Sequence, residues 1–389
     1  MSSANLAYIN PAIIAWARKR AGVSISYLSG RLKIPEQSIS DWEARKGLPT
    51  FSAAERMAAE LHIPFGYLFL SEAPDHEVPI PDLRTVGGGP PPPLSVDFID
   101  ILQACLIRQE WYSDYLASSG ARRLPFPGSM KTADGSQAVA DNISAALGIH
   151  DGLREESDNW EQFRIKLIDA AERIGVLVMQ SGVGANNLRP LSVAEFRGFA
   201  VTDQFAPLVF INTKDAPTAR IFTLIHELAH IWIGESGISN PEPRKKSTEQ
   251  SNAIERFCNK VAAEVLVPRL GISKRWNKGK GVAENVQATA RYYRVSRYVA
   301  VRQAYESDLI TKAQYLSYLD ANPSLWRVTD SNRSSGGSFY PTFFARNSRR
   351  VIRGVVKALG ESRITYREAS GLFGVTVKTV KTVAERFGE

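Results

Sequence analysis

Residues 222–234 read FTLIHELAHIWIG, and the fold of the chain turns on how this stretch is understood. Leu224, Ile225, Leu228, Ala229, Ile231 and Trp232 surround His226, Glu227 and His230, so three ionisable groups stand inside an apolar helical run. Burying such groups is costly unless something pairs with them. A spacing of four places His226 and His230 one turn apart on the same helix face, where both imidazoles reach one zinc ion. Glu227 beside them is placed to take a proton from an activated water and pass it to a leaving amine. This is the H-E-x-x-H pattern.

A catalytic zinc takes three protein ligands and keeps one position open. No third histidine is near, which turns attention to the carboxylates of the next helical stretch, NAIERFCNKVAAEVLVP at 252–268. Glu255 and Glu264 are nine residues apart and therefore on opposite faces, so only one of them can point at the metal. Glu255 shares its face with Asn259 and Ala262, and Asn259 is expected to hydrogen-bond a ligand from behind. Glu264, close to the helix end before Pro268, is expected at the surface or in a buried pair. The expectation is one Zn2+ per chain on His226, His230 and Glu255.

The surrounding chain of 389 residues is long enough for two or three domains, and its 44% hydrophobic and 23% charged residues are ordinary for a globular protein. No apolar stretch has transmembrane length and the N-terminus lacks a signal-peptide layout, so no membrane association is expected. Cys105 and Cys258 are far apart, which argues against a disulfide framework and for a reducing cytoplasm. Of the net charge of +8, residues 331–389 carry eleven Lys or Arg against four Asp or Glu, and residues 1–70 eight against five. Positive charge thus gathers at the two ends, as in a protein whose ends meet nucleic acid, although a solvated basic surface would read the same way.

The strongest punctuation is VGGGPPPPLS at 86–95, which no helix or central strand tolerates. Helical periodicity follows in VDFIDILQACLIRQEWYSDYLA and NWEQFRIKLIDAAERIG. GVLVMQS, FRGFAVTD and APLVFINT then read as strands, the last offering a sheet edge to which an extended peptide could add. GESGISNPEPRKKSTEQ at 234–250 reads as a polar loop and TDSNRSSGGSFYPT at 329–342 as a second joint. The reading is multi-domain, with residues 1–75 an all-α domain, 76–95 a linker, 96–328 an α+β domain with a small sheet, and 329–389 a basic helical C-terminal region.

Residues 11–70 hold five short helical patterns, and the break at KIP between SISYLSGRL and EQSISDWEARK makes that pair a helix-turn-helix candidate. The run LSGRLKIPEQSISDWEARKGLPTFSAAERMAAELHIPFGYLF resembles the Xre/Cro-type helix-turn-helix of phage-repressor-like regulators. The resemblance implies double-stranded operator DNA as partner. Gln37, Ser38 and Asp41 would lie toward base edges, Arg45 and Lys46 toward phosphates, and a homodimer would read two half-sites. Arg45 stands where that family usually has Gly, and Glu36 and Asp41 bring acid near DNA.

RGFAVTDQFAPLVFINTKDAPTARIFTLIHELAHIWIG followed by IERFCNKVAAEVLVP resembles the ImmA/IrrE zinc metallopeptidases, with a gluzincin-like site. The resemblance implies His226, His230 and Glu255 as zinc ligands and Glu227 as the catalytic base. It also implies cleavage of a partner protein, often a helix-turn-helix repressor. Two functions stay open at this level: a zinc endopeptidase joined to a transcription regulator, and a non-cleaving repressor or antitoxin that grips a ligand or toxin. In the tail, RITYREASGLFGVTVKTVKTVAERF shows two helical patterns parted at FGVT, with Thr376, Lys378, Thr379 and Lys381 along the second. Both a helix-turn-helix and a basic cap on the peptidase domain fit that pattern.

Overall fold

The computed structural model describes residues 5–74, 79–83, 94–184, 189–239, 251–323 and 338–387. Most of the Gly/Pro linker and of the joint before the tail, and the loop from 240 to 250, lie outside the described residues. Two compact units are present, one of residues 1–79 with 93–100, the other of 80–92 with 101–389.

In the first unit, α1 (Pro11–Arg20), α2 (Ile25–Leu32), α3 (Glu36–Glu43) and α4 (Phe51–Glu60) are followed by a 3-10 turn at Phe65–Phe69. Each start has a local cause. Pro11 occupies a first helical position, the Asn10 side chain caps Ala12 N–H, and the Ser24 and Thr50 side chains cap α2 and α4. Ile13, Ile14, Leu28, Leu32, Ile39, Met57 and Leu68 close a separate small core.

The second unit opens with α5 (Val96–Ser118), which begins in the last residues of the first, and continues with α6 (Ser136–Leu147), α7 (Asp151–Glu155) and α8 (Trp160–Ile174). The sheet is built from β1 (Leu177–Ser181), β2 (Gly198–Val201), β3 (Leu208–Asn212) and, beyond α9 (Pro217–Ile233), β4 (Gly237–Ser239). Strand order is β1-β3-β2-β4, with β1 and β3 parallel and β2 antiparallel to both neighbours. β3 is therefore interior and buried along its length, so it offers no edge to a peptide. The edges are β1 and β4. The outer side of β4 carries the chain's own residues 80–83: Ile238 N–H donates to Pro81 O at 3.0 Å and Leu83 N–H to Ile238 O at 3.2 Å.

α9 packs on β2 and β3, and every residue from 221 to 233 is buried, as expected of a helix apolar on all sides. Pro217 starts it and Gly234, at φ +80°, ends it. Loop amides of Gly128 and Met130 donate to the carbonyls of Ile231 and Trp232, satisfying a helix end that lies in the interior.

α10 (Ser251–Leu266) crosses α9 and α6, followed by α11 (Arg269–Arg275), α12 (Val282–Tyr293), α13 (Arg297–Glu306) and α14 (Lys312–Ala321). The tail forms α15 (Phe339–Asn347), α16 (Arg349–Gly360), α17 (Tyr366–Phe373) and α18 (Val377–Phe387). Residues 339–342, expected as part of a joint, are the first turn of α15. Pro341 is tolerated there because first-turn amides have no helical partner. α15 and α16 lie against β1, and Ser348 Oγ donates to the buried Glu172 at 2.6 Å. No described helix is long and apolar enough to cross a membrane.

Candidate metal centre and nucleic-acid interface

α9 presents His226 and His230 on one face, and α10 brings Glu255 against them. His226 Nε2 and His230 Nε2 lie 3.2 Å apart, His230 Nε2 is 3.1 Å from Glu255 Oε1, and His226 Nε2 is 3.4 Å from Glu255 Oε2. Both imidazoles are wholly buried. Burial lowers the pKa of His226, against the upward pull of the Glu255 carboxylate beside it. Burial would raise the Glu255 carboxyl, but the imidazoles of His226 and His230 outweigh it and bring it down to about 2. The two Nε2 atoms face one another and the Glu255 carboxylate, leaving the three ligand atoms converging on one point. A cation facing both lone pairs and an ionised carboxylate satisfies all three, and two imidazoles with one carboxylate are a set of three zinc-type ligands.

Glu227, the next residue on α9, is fully buried, and burial followed by the Glu255 charge pushes its carboxyl well up. Its Oε1 has no hydrogen-bond partner. β2 passes close over it. A Cβ at Gly198 would stand 2.7 Å from Glu227 Oε1 and 2.8 Å from Phe210 O, so glycine lets the strand approach this closely.

Of the two carboxylates weighed from sequence, Glu255 reaches the histidines and Glu264 does not. Glu264 is buried in a network of its own, accepting from Arg269 N–H at 2.8 Å, Arg269 Nε at 3.1 Å and Gln303 Nε2 at 2.8 Å. Asn259, expected to hydrogen-bond a ligand from behind, is buried and its Oδ1 has no hydrogen-bond partner. Sequence reasoning also missed Ser239. Its Oγ donates to Glu255 Oε1 at 3.2 Å and stands 3.5 Å from Glu227 Oε2 and from His230 Nε2. It lies in GESGISNPEPRKKSTEQ, expected as a loop, where three residues pair as β4; a strand that short leaves no alternation to detect.

In the first unit, α2 and α3 meet through Lys33 in the left-handed conformation, with Ser29 Oγ donating to Ile34 O at 2.7 Å. On α3, Gln37 is exposed and Ser38 and Asp41 are half-buried; Arg45 and Lys46 beyond its end are exposed. Gln37 Nε2 donates to Asp41 Oδ1 at 2.9 Å, and Arg18 pairs with Glu43 at 2.7 and 2.9 Å. Arg45 has φ +62°, which accounts for the usual glycine there: the helix end keeps its left-handed shape, at a cost to a residue with Cβ. Arg45→Gly is expected to stabilise the first unit by about 1 kcal/mol, read as a higher denaturation midpoint.

Residues 171–305 match the family model described as the IrrE N-terminal-like domain, a metallopeptidase family, and residues 14–68 match a helix-turn-helix model. No curated protein and no solved structure matches the chain.

Proposed function

We propose that this chain, which joins an Xre-type helix-turn-helix domain to an IrrE/ImmA-like peptidase domain, is a DNA-binding regulator that cleaves a partner protein through a zinc centre. The observation that carries this reading is the convergence of His226, His230 and Glu255 with Glu227 buried beside them. In this reading His226, His230 and Glu255 hold one zinc per chain, and bound zinc supplies Lewis acidity for a carbonyl and for water. Glu227 takes the proton as water attacks and returns it to the departing amine. Ser239, through its bond to Glu255, positions that carboxylate rather than reacting. Zinc analysis of the purified protein, with a cleavage assay against proteins encoded beside it, tests the proposal. One zinc per chain and a cut lost on chelation are expected. Full zinc with no cut would leave a domain that grips its partner without cleaving it.

On the DNA side, Gln37, Ser38 and Asp41 face base edges, Arg45 and Lys46 face phosphates, and a homodimer reads a two-fold operator. Gln37→Ala is expected to weaken a specific operator by roughly 1–3 kcal/mol, the size of one base contact. Lys46→Ala is expected to weaken all duplexes alike and to reduce the salt slope by about 1. Operator titrations at several salt concentrations separate the two.

A further inference from the structure

The tail carries a second copy of the α2–α3 geometry, displaced by 341 positions throughout. Ser24 caps α2 and Thr365 caps α17; Ser29 Oγ donates to Ile34 O and Ser370 Oγ to Val375 O; Lys33 and Gly374 are both left-handed. Pro35 and Thr376 then stand just ahead of α3 and α18, Thr376 Oγ1 accepting from Thr379 N–H. Burial follows the same register: Leu28, Leu32 and Ile39 on one side, Ala369, Phe373 and Val380 on the other. α16 packs on α18 as α1 packs on α3, and each first helix leads into the second through a left-handed residue, Ser362 in the tail and Gly22 in the first unit, a pair one position out of the register kept from Ser24 and Thr365 onward.

The turn alone would not identify a reader of nucleic acid. It recurs between α12 and α13, where Arg294 is left-handed and Ser296 caps, but there Val299, Ala300, Val301, Gln303 and Ala304 bury the second helix. α18 differs because its outer face is open. Lys378 and Lys381 are exposed, with Thr379 and Thr382 half-buried between them, at the positions that Gln37, Ser40, Ser38 and Asp41 occupy on α3. The charge is of the opposite sign. α3 carries Glu36, Asp41 and Glu43 and no base, whereas α18 carries Lys378, Lys381 and Arg386 against Glu385, within a stretch 349–387 of nine Lys or Arg and three Asp or Glu.

We infer that α16–α18 form a second helix-turn-helix that binds double-stranded DNA through the exposed face of α18. A major groove admits such a helix, and lysine and threonine side chains reach base edges and phosphates from it. A lipid surface would need an apolar outer face, whereas Val380 and Val383 point into the core and Val377 is exposed among lysines and threonines. Duplex RNA has a major groove too deep and narrow for a helix to read. The inference is independent of the metal centre and of α3.

The test uses full-length protein and fluorescence anisotropy with a mixed-sequence DNA duplex over a range of salt. Lys378→Ala/Lys381→Ala is expected to weaken binding about tenfold or more at low salt and to flatten the log K against log salt slope by about 2, one for each lost phosphate contact. Lys378→Arg/Lys381→Arg should keep the wild-type slope, and zinc content should be unchanged in both. The loss should add to that of Gln37→Ala/Lys46→Ala, so failure of either helix-turn-helix is seen separately. Wild-type affinity and slope in the alanine pair, or competition by duplex RNA equal to that by duplex DNA, would overturn the inference.

Discussion

Glu227→Gln is expected to abolish cleavage, by about 10²–10⁴-fold in rate, while zinc content and DNA binding stay at wild-type levels. Glutamine preserves the size of the side chain under Gly198 and keeps an amide oxygen near Ser239, but has no basic oxygen to hold a proton. The cellular readout is the sharper one. Where proteolysis is the function, the variant binds its operator yet fails to control its partner. A variant that regulates as wild type does would show that the buried carboxylate is not needed and that gripping suffices.

The second large effect separates the two buried glutamates of α10. Glu255→Ala is expected to drop the metal content from one zinc per chain to a small residue, with an affinity loss beyond the 10–100-fold that follows when an outer partner of a ligand is removed. Glu264→Ala should keep the zinc and instead lose about 3 kcal/mol of stability, because Arg269 and Gln303 are left facing a buried gap. Elemental analysis with denaturant unfolding of both variants reads the difference. Zinc lost from Glu264→Ala and kept by Glu255→Ala would reverse the assignment.

Much of this was legible in the sequence because the signals were local. FTLIHELAHIWIG fixes its own helix through four-residue spacing. Counting half-turns along one helix left room for only one of Glu255 and Glu264 at the histidines, the choice of Glu255 coming from its face-mates and the family resemblance. The break at KIP and the apolar positions of α2–α3 are likewise read within thirty or so residues, the size of one supersecondary unit. What escaped detection depends on partners far away in the chain. β4 is recognisable as a strand only once β2 lies beside it, and Ser239 gains its place from that pairing. The tail's turn was visible at FGVT, yet its equivalence to the first turn emerged only when left-handed residues, serine bonds and burial could be compared position by position.

The pairing of residues 80–83 with β4 bears on how a substrate would compete. Ile238 already exchanges hydrogen bonds with Pro81 and Leu83, and a side chain at Gly237 would run into Leu83. A peptide that adds as a strand at this edge, one residue from Ser239, must therefore displace a segment of the same chain. That segment is tethered, so it acts at an effective concentration on the order of millimolar, whatever the protein concentration. A free peptide with ordinary strand-addition affinity would be outcompeted at micromolar levels, and a partner held nearby at a comparable local concentration would not.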